Sequence, residues 1–224
     1  MSDTDSPTYH DFSWLGLPTP QIPGIFKPNQ DAKAPVLCAY VLLALARSKA
    51  AAASAPSFAE LFCADGFYAM FAARFGAARA CGFDNDRDGH FASALRIRER
   101  LGLDNVEFVQ CAVEQIGDAR FDIVANVGGL YHVDDPHAVL QQSWEMAGRF
   151  LIVQNVVSMA NDEADYFERP APGLDWGNRF SRTSFDRLVR SLGGTVVLHD
   201  FNTLDANPRM EDRGSLYYLI EKTA

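Results

Sequence analysis

The sequence has few basic residues and no long uninterrupted apolar run. Its 20 lysines and arginines are outnumbered by 29 aspartates and glutamates, which gives a net charge of −9. Because an acidic surface repels phosphate, a nucleic-acid partner is disfavoured. The longest apolar run covers only residues 36–46. A membrane-spanning helix needs about 20 such residues, so no membrane segment is predicted.

Paired cysteines and a leader pattern are also missing. The 4 cysteines form no C-x-x-C pair, so we predict reduced thiols, without disulfides or a metal. Residues 1–7 are acidic and lack the basic-then-apolar pattern of a secretory signal. We therefore expect a cytoplasmic protein. The sequence leaves its oligomeric state open, including a homodimer.

The N-terminal region combines helix-breaking residues with aromatic ones. Prolines and glycines crowd residues 18–28, which excludes a regular helix or a central strand there. Aromatic side chains precede them: Tyr9, His10, Phe12 and Trp14. We expect an extended strap across the domain, followed by a helix over residues 34–53. Together, residues 1–56 are predicted to form a lid or substrate cap.

From residue 57 onward, short apolar runs alternate with helical stretches. Strands are predicted at residues 57–62, 79–84, 106–110, 121–127 and 149–157. Helices are predicted at residues 66–75, 87–101, 136–146 and 181–192. This alternation predicts parallel strands joined by crossover helices. Two further runs, at 194–202 and 214–222, predict an antiparallel pair, so the expected fold is an open α/β sheet of seven strands.

Ligands of open α/β sheets bind outside the carboxyl ends of the strands. At the first of these ends, residues 60–66 read E-L-F-C-A-D-G, with small residues that let backbone approach a ligand. Asp84 ends the second strand, where a carboxylate can accept both hydroxyls of a ribose. No G-x-G-x-x-G is present, which disfavours a dinucleotide. Glu60 and Asp65 favour a cationic ligand instead, and S-adenosylmethionine is one.

Residues 57–224 resemble the class I S-adenosylmethionine-dependent methyltransferases. Their first motif, D-x-G-x-G-x-G, is matched with Glu60 in the acidic place. The three glycine places are taken by Phe62, Ala64 and Gly66. The resemblance implies a Rossmann-like fold, methyl transfer and S-adenosylmethionine as cofactor. It implies further cofactor-binding residues at later strand ends: Asp84 and Asn85, then Ala112 and Val113 in the segment that borders the adenine, and Asn126 and Gly128.

A second motif, G-G-L-Y-H-V-D-D-P at residues 128–136, is similar to one in the tRNA wobble-uridine carboxymethyltransferase group. That resemblance implies that Tyr131 and Arg213 hold a carboxylated cofactor. The chain lacks the basic, tryptophan-rich tract of those enzymes, so we expect ordinary S-adenosylmethionine and a small-molecule acceptor. A tRNA-modifying enzyme is the alternative. A non-catalytic cofactor-binding module, motivated by Phe62 and Ala64, is the third reading.

His132 is the candidate general base because an imidazole titrates near neutral pH. The alternative is a packing role beneath the cofactor loop. Tyr131 is grouped with it as a catalytic candidate. The segment 158–180 is expected to wall the acceptor pocket, with Arg179 offering a forked donor to an anionic group. The alternative is core packing for its aromatic residues and a surface ion pair for Arg179. The candidates for substrate binding are Tyr9, His10, Trp14, Tyr131, Trp176, Arg179 and Arg213. No metal is required, because residues 84–86 lack the rest of a calcium loop.

Overall fold

A computed structural model describes residues 6–52 and 54–222. They fall into two compact units, within the ranges Met1–Gly117 and Asp118–Ala224. The first five residues, on which part of the leader prediction rests, lie outside the described residues. The same holds for Ala53, the predicted end of the first helix, and for the last two residues of the chain.

The first unit begins with the strap, defined here as residues 6–25. It turns back on itself at a short 3-10 turn, Ser13–Leu15, so that Thr8 pairs with Gln21 and Phe12 with Leu17. The expectation of an extended strap was therefore wrong. Helix α1, Phe26–Ala52, follows. The prediction that this helix starts at residue 34 was wrong. Pro28 lies in the first turn of α1, where its missing N–H would have no helical partner, so the helix tolerates it.

Three parallel strands in the order β3-β2-β1 form the sheet of the first unit. They are β1 at Ser57–Leu61, β2 at Arg79–Asp84 and β3 at Val106–Gln110. Two crossover helices join them, α2 at Phe67–Arg74 and α3 at Phe91–Leu101. The sheet therefore brings the carboxyl ends of all three strands to one edge.

By length and composition, α1 could cross a membrane, a property that counting uninterrupted apolar residues missed. In the structure α1 packs on α2. Its buried side chains include Leu37, Tyr40, Val41, Ala44 and Leu45. The core helix of a soluble protein passes the same test of length and composition. Packing within the unit thus buries part of the apolar surface of α1.

The second unit opens with a parallel pair of strands, β4 at Phe121–Val127 and β5 at Ala147–Ser158. Helix α4, Pro136–Met146, joins them. Asp135 caps α4, since its Oδ1 accepts a hydrogen bond from the Ala138 amide at 2.9 Å. The cap stands directly ahead of Pro136, a proline at the first helical position.

Two short strands lie in the segment that the sequence predicts to be irregular, β6 at Phe167–Glu168 and β7 at Arg179–Ser181. Helix α5, Arg182–Arg190, then leads to β8 at Thr195–Thr203 and β9 at Gly214–Glu221. β9 runs antiparallel to both β5 and β8. The predicted antiparallel pair is confirmed. The fold is α/β and Rossmann-like, with parallel strands followed by an antiparallel C-terminal pair.

The four cysteines are free thiols. Cys38, Cys63 and Cys81 are buried, and Cys111 is half-buried. Burial raises the pKa of Cys38 to about 12 and that of Cys81 to about 11. The thiols of Cys38 and Cys81 therefore stay protonated at neutral pH.

Candidate functional site

The loop that follows β1, residues 62–66, has a left-handed backbone at alternating positions. We call it the β1 loop. Its φ angles are 60° at Phe62, 48° at Ala64 and 78° at Gly66. These are the three glycine places of the methyltransferase motif, so the loop keeps a glycine-type conformation without two of the glycines. A left-handed conformation costs a residue with a Cβ about 1–2 kcal/mol, so neighbouring contacts must hold the loop.

Hydrogen bonds tie the β1 loop to the end of β2. The Cys63 amide donates to the Phe83 carbonyl at 3.0 Å. The Ala64 amide donates to Asp84 Oδ2 at 2.9 Å. Within the loop, the Gly66 amide donates to the Cys63 carbonyl at 2.6 Å. The loop and the strand end therefore form one connected piece, and Asp84 helps to set the shape of the loop.

Asp84 is half-buried at the carboxyl end of β2. Its Oδ1 accepts a hydrogen bond from the Asp86 amide at 2.7 Å. Each carboxylate oxygen has two lone pairs, so each can accept a further hydrogen bond from a ribose hydroxyl. The neighbouring Asn85 is exposed, and its Oδ1 accepts from the Arg87 amide at 3.0 Å.

Glu60 lies in the core near the end of β1. Its side chain is buried, and Oε2 accepts from the Ala69 amide in the first turn of α2 at 2.7 Å. Burial raises the pKa of Glu60 well above its ordinary value, and the hydrogen bond from Ala69 opposes part of this shift. In this position the carboxyl group caps α2. A direct contact between Glu60 and the cofactor stays a prediction.

Two glycines of the first unit lie directly against the Phe108 ring of β3. A Cβ added at Gly66 would lie 2.2 Å from Phe108 Cε1. A Cβ added at Gly82 would lie 2.6 Å from Phe108 Cδ1. The sequence interpretation missed Gly82 and Phe108. The available signal was Gly82 itself, because a glycine inside a strand often marks a place where another group approaches the backbone closely.

The loop after β3 carries the two residues predicted to border the adenine. The Cys111 amide donates to the Asp84 carbonyl at 2.9 Å, which holds this loop against the end of β2. Ala112 is half-buried, whereas Val113 is buried and begins a short 3-10 turn. The predicted ribose and adenine residues of the first unit are therefore brought to the same edge of its sheet.

The strap residues predicted to bind substrate have different surroundings. His10 contacts Asp65 of the β1 loop through its backbone amide and through its ring. The Tyr9 ring lies 5.2 Å from the His90 ring, measured between centroids. Trp14 is half exposed in the 3-10 turn of the strap. Contact between these residues and a substrate stays a prediction.

In the second unit, the end of β4 leads into a short 3-10 turn, Leu130–His132. Asn126 is buried on β4, and its Nδ2 donates to Ser143 Oγ of α4 at 2.9 Å. Gly128 follows with a φ of 70°, and its amide donates to the Gln154 carbonyl of β5 at 3.1 Å. The left-handed Gly128 thus turns the chain from the strand into the turn that carries Tyr131 and His132.

The segment before β7 is fastened to this turn. The Asn178 amide donates to the Tyr131 carbonyl at 3.0 Å. Asn178 Nδ2 donates to the carbonyls of Leu130 at 2.8 Å and Val133 at 3.0 Å. A Cβ added at Gly177 would lie only 2.6 Å from the Tyr131 carbonyl oxygen. Residues 176–179 therefore lie directly against the turn after β4.

This attachment brings four of the predicted site residues together. The rings of His132 and Trp176 stack, with centroids 5.2 Å apart and planes at 9°. The Tyr131 and His132 centroids are 4.2 Å apart. Arg179 Cζ lies 5.2 Å from the centroid of the Tyr131 ring. We call Tyr131, His132, Trp176 and Arg179 the aromatic cluster. Trp176 is 43% exposed, so the cluster presents a flat apolar surface to solvent.

The two arginines predicted to bind an anionic group donate to acceptors within the second unit. Arg179 is buried, and its Nε and Nη2 lie 2.8 Å and 2.7 Å from Asp212 Oδ1. Arg213 Nε donates to the Asn207 carbonyl at 2.7 Å. Both arginines therefore already donate hydrogen bonds to oxygen atoms of the protein. These donors would otherwise be available to a carboxylate or a phosphate.

Gln154 is a polar residue of the site that the sequence interpretation missed. It is fully buried on β5, and its Nε2 donates to Ser215 Oγ at 2.9 Å. Its Oε1 has no hydrogen-bond partner within the described part of the chain. That oxygen lies 3.6 Å from the Cβ position of Gly128, and Tyr131 Oη lies 3.8 Å from the same point. The available signal was a Gln-Asn pair inside an otherwise apolar strand.

Comparison with known proteins agrees with this geometry. A family model described as a methyltransferase domain matches residues 54–211. No curated protein matches the chain. A similar solved structure is the magnesium protoporphyrin IX methyltransferase ChlM from Synechocystis PCC 6803 with bound S-adenosylhomocysteine. Its TM-score is 0.66 at 14% identity, over 95% of this chain and 93% of that chain.

Two further solved structures share the fold. Coclaurine N-methyltransferase bound to N-methylheliamine and S-adenosylhomocysteine has a TM-score of 0.59 at 12% identity, over 81% of this chain and 72% of that one. The 4+2 cyclase SpnF has a TM-score of 0.59 at 14% identity, over 76% of each chain. The family match covers most of the chain, so the protein belongs to the methyltransferase domain family, with the class I fold and S-adenosylmethionine as its cofactor.

Proposed function

We propose that the protein transfers a methyl group from S-adenosylmethionine to a hydroxyl or amine of a small, uncharged, flat acceptor. The observation that carries this proposal is the aromatic cluster, in which Trp176 offers a half-exposed ring backed by His132. A flat apolar ring favours an acceptor that can stack on it. Arg179 is already paired with Asp212, which disfavours an anionic acceptor at this place.

The comparisons support the same class of acceptor. The similar structures include a methyltransferase named for magnesium protoporphyrin IX and one bound to N-methylheliamine, both small molecules. The acidic net charge of −9 supports it as well, because it disfavours RNA. We further propose that residues 158–180 wall the acceptor pocket and that the strap and α1, within residues 1–56, form a cover. A cytoplasmic location and a homodimer stay predictions.

The first unit fits the cofactor. Three left-handed positions in the β1 loop and a half-buried carboxylate at the end of β2 suit a ligand with a ribose. We propose that the β1 loop, Asp84 and Ala112 hold S-adenosylmethionine, whose sulfonium centre supplies an activated methyl group. Glu60 acts indirectly in this scheme, because it caps the helix that follows the loop.

The remaining chemistry belongs to the side chains after β4. Alignment of the acceptor lowers the barrier because reacting groups held in place lose less entropy at the transition state. A hydroxyl acceptor must also lose its proton as the new bond to carbon forms. We assign that proton to the His132 imidazole, with the Tyr131 and Trp176 rings holding the acceptor in place. An amine acceptor would need the alignment but not the base.

The direct test is a release assay for S-adenosylhomocysteine over a panel of hydroxylated aromatics and aromatic amines. Bulk tRNA forms a separate arm, because the motif at residues 128–136 favours a tRNA-modifying alternative. Turnover on a small molecule without RNA supports the proposal. Salt-sensitive RNA binding with methyl transfer to tRNA would support the alternative instead. Cofactor binding without turnover on any acceptor would favour the non-catalytic reading.

We expect Asp84→Ala to weaken S-adenosylmethionine binding by more than about tenfold, because hydrogen bonds to a charged group contribute about 1.5–3 kcal/mol. The loss of the hydrogen bond from the Ala64 amide adds to the effect. A calorimetric titration measures it. Asp88→Ala is the matched control, since Asp88 is exposed and pairs with Arg87. Equal affinities for the two variants would remove Asp84 from the cofactor site.

We expect His132→Ala to lower turnover on a hydroxyl acceptor by about 100-fold, a typical contribution of a general base. Cofactor affinity should stay unchanged, because the proposed cofactor contacts come from the β1 loop, Asp84 and Ala112 and not from His132. Initial rates of S-adenosylhomocysteine release and a calorimetric titration measure the two quantities. His132→Gln keeps a polar side chain without the base and should be equally slow. A fully active His132→Ala enzyme would exclude His132 as the base.

A further inference from the structure

The strap reaches the β1 loop through one residue. The His10 amide donates to Asp65 Oδ2 at 2.7 Å. The His10 ring Nδ1 lies 2.5 Å from Asp65 Oδ1. Both oxygens of the carboxyl group are therefore bound by the same strap residue, which is 55 positions away in the sequence. The sequence gives no local signal for such a pair.

The contact is buried. Asp65 is 0% exposed and His10 is 8% exposed. The His10 ring stacks on Phe67 of α2, with centroids 5.1 Å apart, and meets Tyr68 edge-on at 5.8 Å. A buried polar group is stable only when it is hydrogen-bonded. The strap thus supplies hydrogen bonds to a carboxyl group that the loop has removed from water.

The two residues that follow His10 anchor the strap next to this contact. Phe12 is fully buried, and its ring lies 5.5 Å from that of Phe67. Gln30 of α1 accepts from the Asp11 amide and donates to the Asp11 carbonyl, both at 2.8 Å. His10 is therefore held in a fixed position by α1 and α2, and it can hold Asp65 in turn.

The hydrogen bonds from His10 reach the β1 loop in its strained part. Asp65 lies between Ala64 and Gly66, two left-handed positions. A strained loop persists only when its surroundings fix it. Asp84 fixes one side of the loop through the Ala64 amide. His10 fixes the other side through the Asp65 side chain.

We propose that His10 is a positioning residue for cofactor binding: it couples docking of the strap to the shape of the β1 loop, so that the loop binds S-adenosylmethionine only while the strap is docked. The inference rests on the proposed role of the β1 loop as part of the cofactor site. Its chemistry is a hydrogen-bonded bridge, through which His10 acts on the β1 loop by way of Asp65.

A pair of substitutions separates the hydrogen bond from the ring packing. His10→Phe keeps a ring to stack on Phe67 and loses the ring hydrogen bond to Asp65. His10→Asn loses the ring, but its side-chain amide can still donate to Asp65. We expect His10→Phe to weaken S-adenosylmethionine binding by about tenfold, as for a lost hydrogen bond to a charged group, and His10→Asn to restore most of the affinity. Ser13→Ala, which removes an exposed hydroxyl of the strap, is the control and should bind like the wild type.

Amide hydrogen exchange without cofactor provides a second readout. In His10→Phe, we expect faster exchange both in residues 8–12 and in residues 62–66, with no change around β3. Exchange at wild-type rates in residues 62–66 would overturn the coupling, as would wild-type affinity in His10→Phe. If the wild type itself bound no S-adenosylmethionine, the proposed role of the β1 loop would fail. The exchange result would still decide whether His10 couples the strap to the loop.

Discussion

Gly66→Ala is expected to lower the free energy of unfolding by about 3–5 kcal/mol, the combined effect of an overpacked core and a left-handed residue with a Cβ. The new Cβ would lie 2.2 Å from Cε1 and 2.3 Å from Cζ of Phe108. The same side of the ring also lies against Gly82, where an added Cβ would be 2.6 Å from Cδ1 and 2.7 Å from Cε1. Denaturant unfolding measures the loss, and S-adenosylmethionine binding should fall with it.

Gly102→Ala is the matched control for backbone strain alone. Gly102 has a φ of 61° at the end of α3, and a Cβ there would meet nothing within 4 Å. We therefore expect a loss of only about 1 kcal/mol. Combining Gly66→Ala with Phe108→Ala should cost less than the sum of the single changes, because the smaller side chain makes room for the new methyl group. Similar losses for Gly66→Ala and Gly102→Ala would contradict the clash with Phe108.

The sequence predicts those parts of the fold and site that depend on local patterns. Apolar runs were enough to place β1–β5, β8 and β9, because each of these strands buries its own stretch of chain. The short strands β6 and β7 were missed. Asp84 was identified by its position at a strand end. The β1 loop was identified as a variant of a glycine motif, and its three left-handed residues follow that motif even at Phe62 and Ala64.

Contacts between residues that lie far apart in the chain could not be predicted from the sequence. His10 and Asp65 are separated by 55 positions, and Arg179 and Asp212 by 33. Nothing in either local pattern distinguishes such a pair from two solvated charges. Burial distinguishes a bonded pair from two solvated charges, and burial depends on the assembled tertiary structure. For the same reason, the sequence left open whether Arg179 binds an anionic group or forms an ion pair, and in the structure it pairs with Asp212.

The start of α1 shows a different limit. Proline was taken as a signal against helix throughout residues 18–28. Its effect depends on its position within the helix, since a proline in the first turn removes no hydrogen bond. A helix that begins at Phe26 places Pro28 in that turn. The boundary of a helix therefore depends on where its first hydrogen bond forms, which composition alone does not specify.

Asp212→Ala is expected to lower the free energy of unfolding by about 3 kcal/mol, because it leaves a buried guanidinium without its carboxylate. The side chain of Arg179 is 4% exposed, and that of Asp212 is 20% exposed. Asp31→Ala is the matched control. It breaks the pair of Lys27 and Asp31, whose side chains are 59% and 61% exposed, and it should cost under about 1 kcal/mol. Denaturant unfolding compares the two variants.

The same substitution should affect the acceptor more than the cofactor. Arg179 lies over the Tyr131 ring, and the adjacent Asn178 holds the turn that carries Tyr131. Loss of Asp212 frees this segment, so we expect a raised KM for the acceptor with unchanged affinity for S-adenosylmethionine. Adding Arg179→Met to Asp212→Ala should recover part of the stability, since no buried charge then remains unpaired. A loss no larger than that of Asp31→Ala, or no recovery in the double variant, would mean that the buried pair does not hold the aromatic cluster in place.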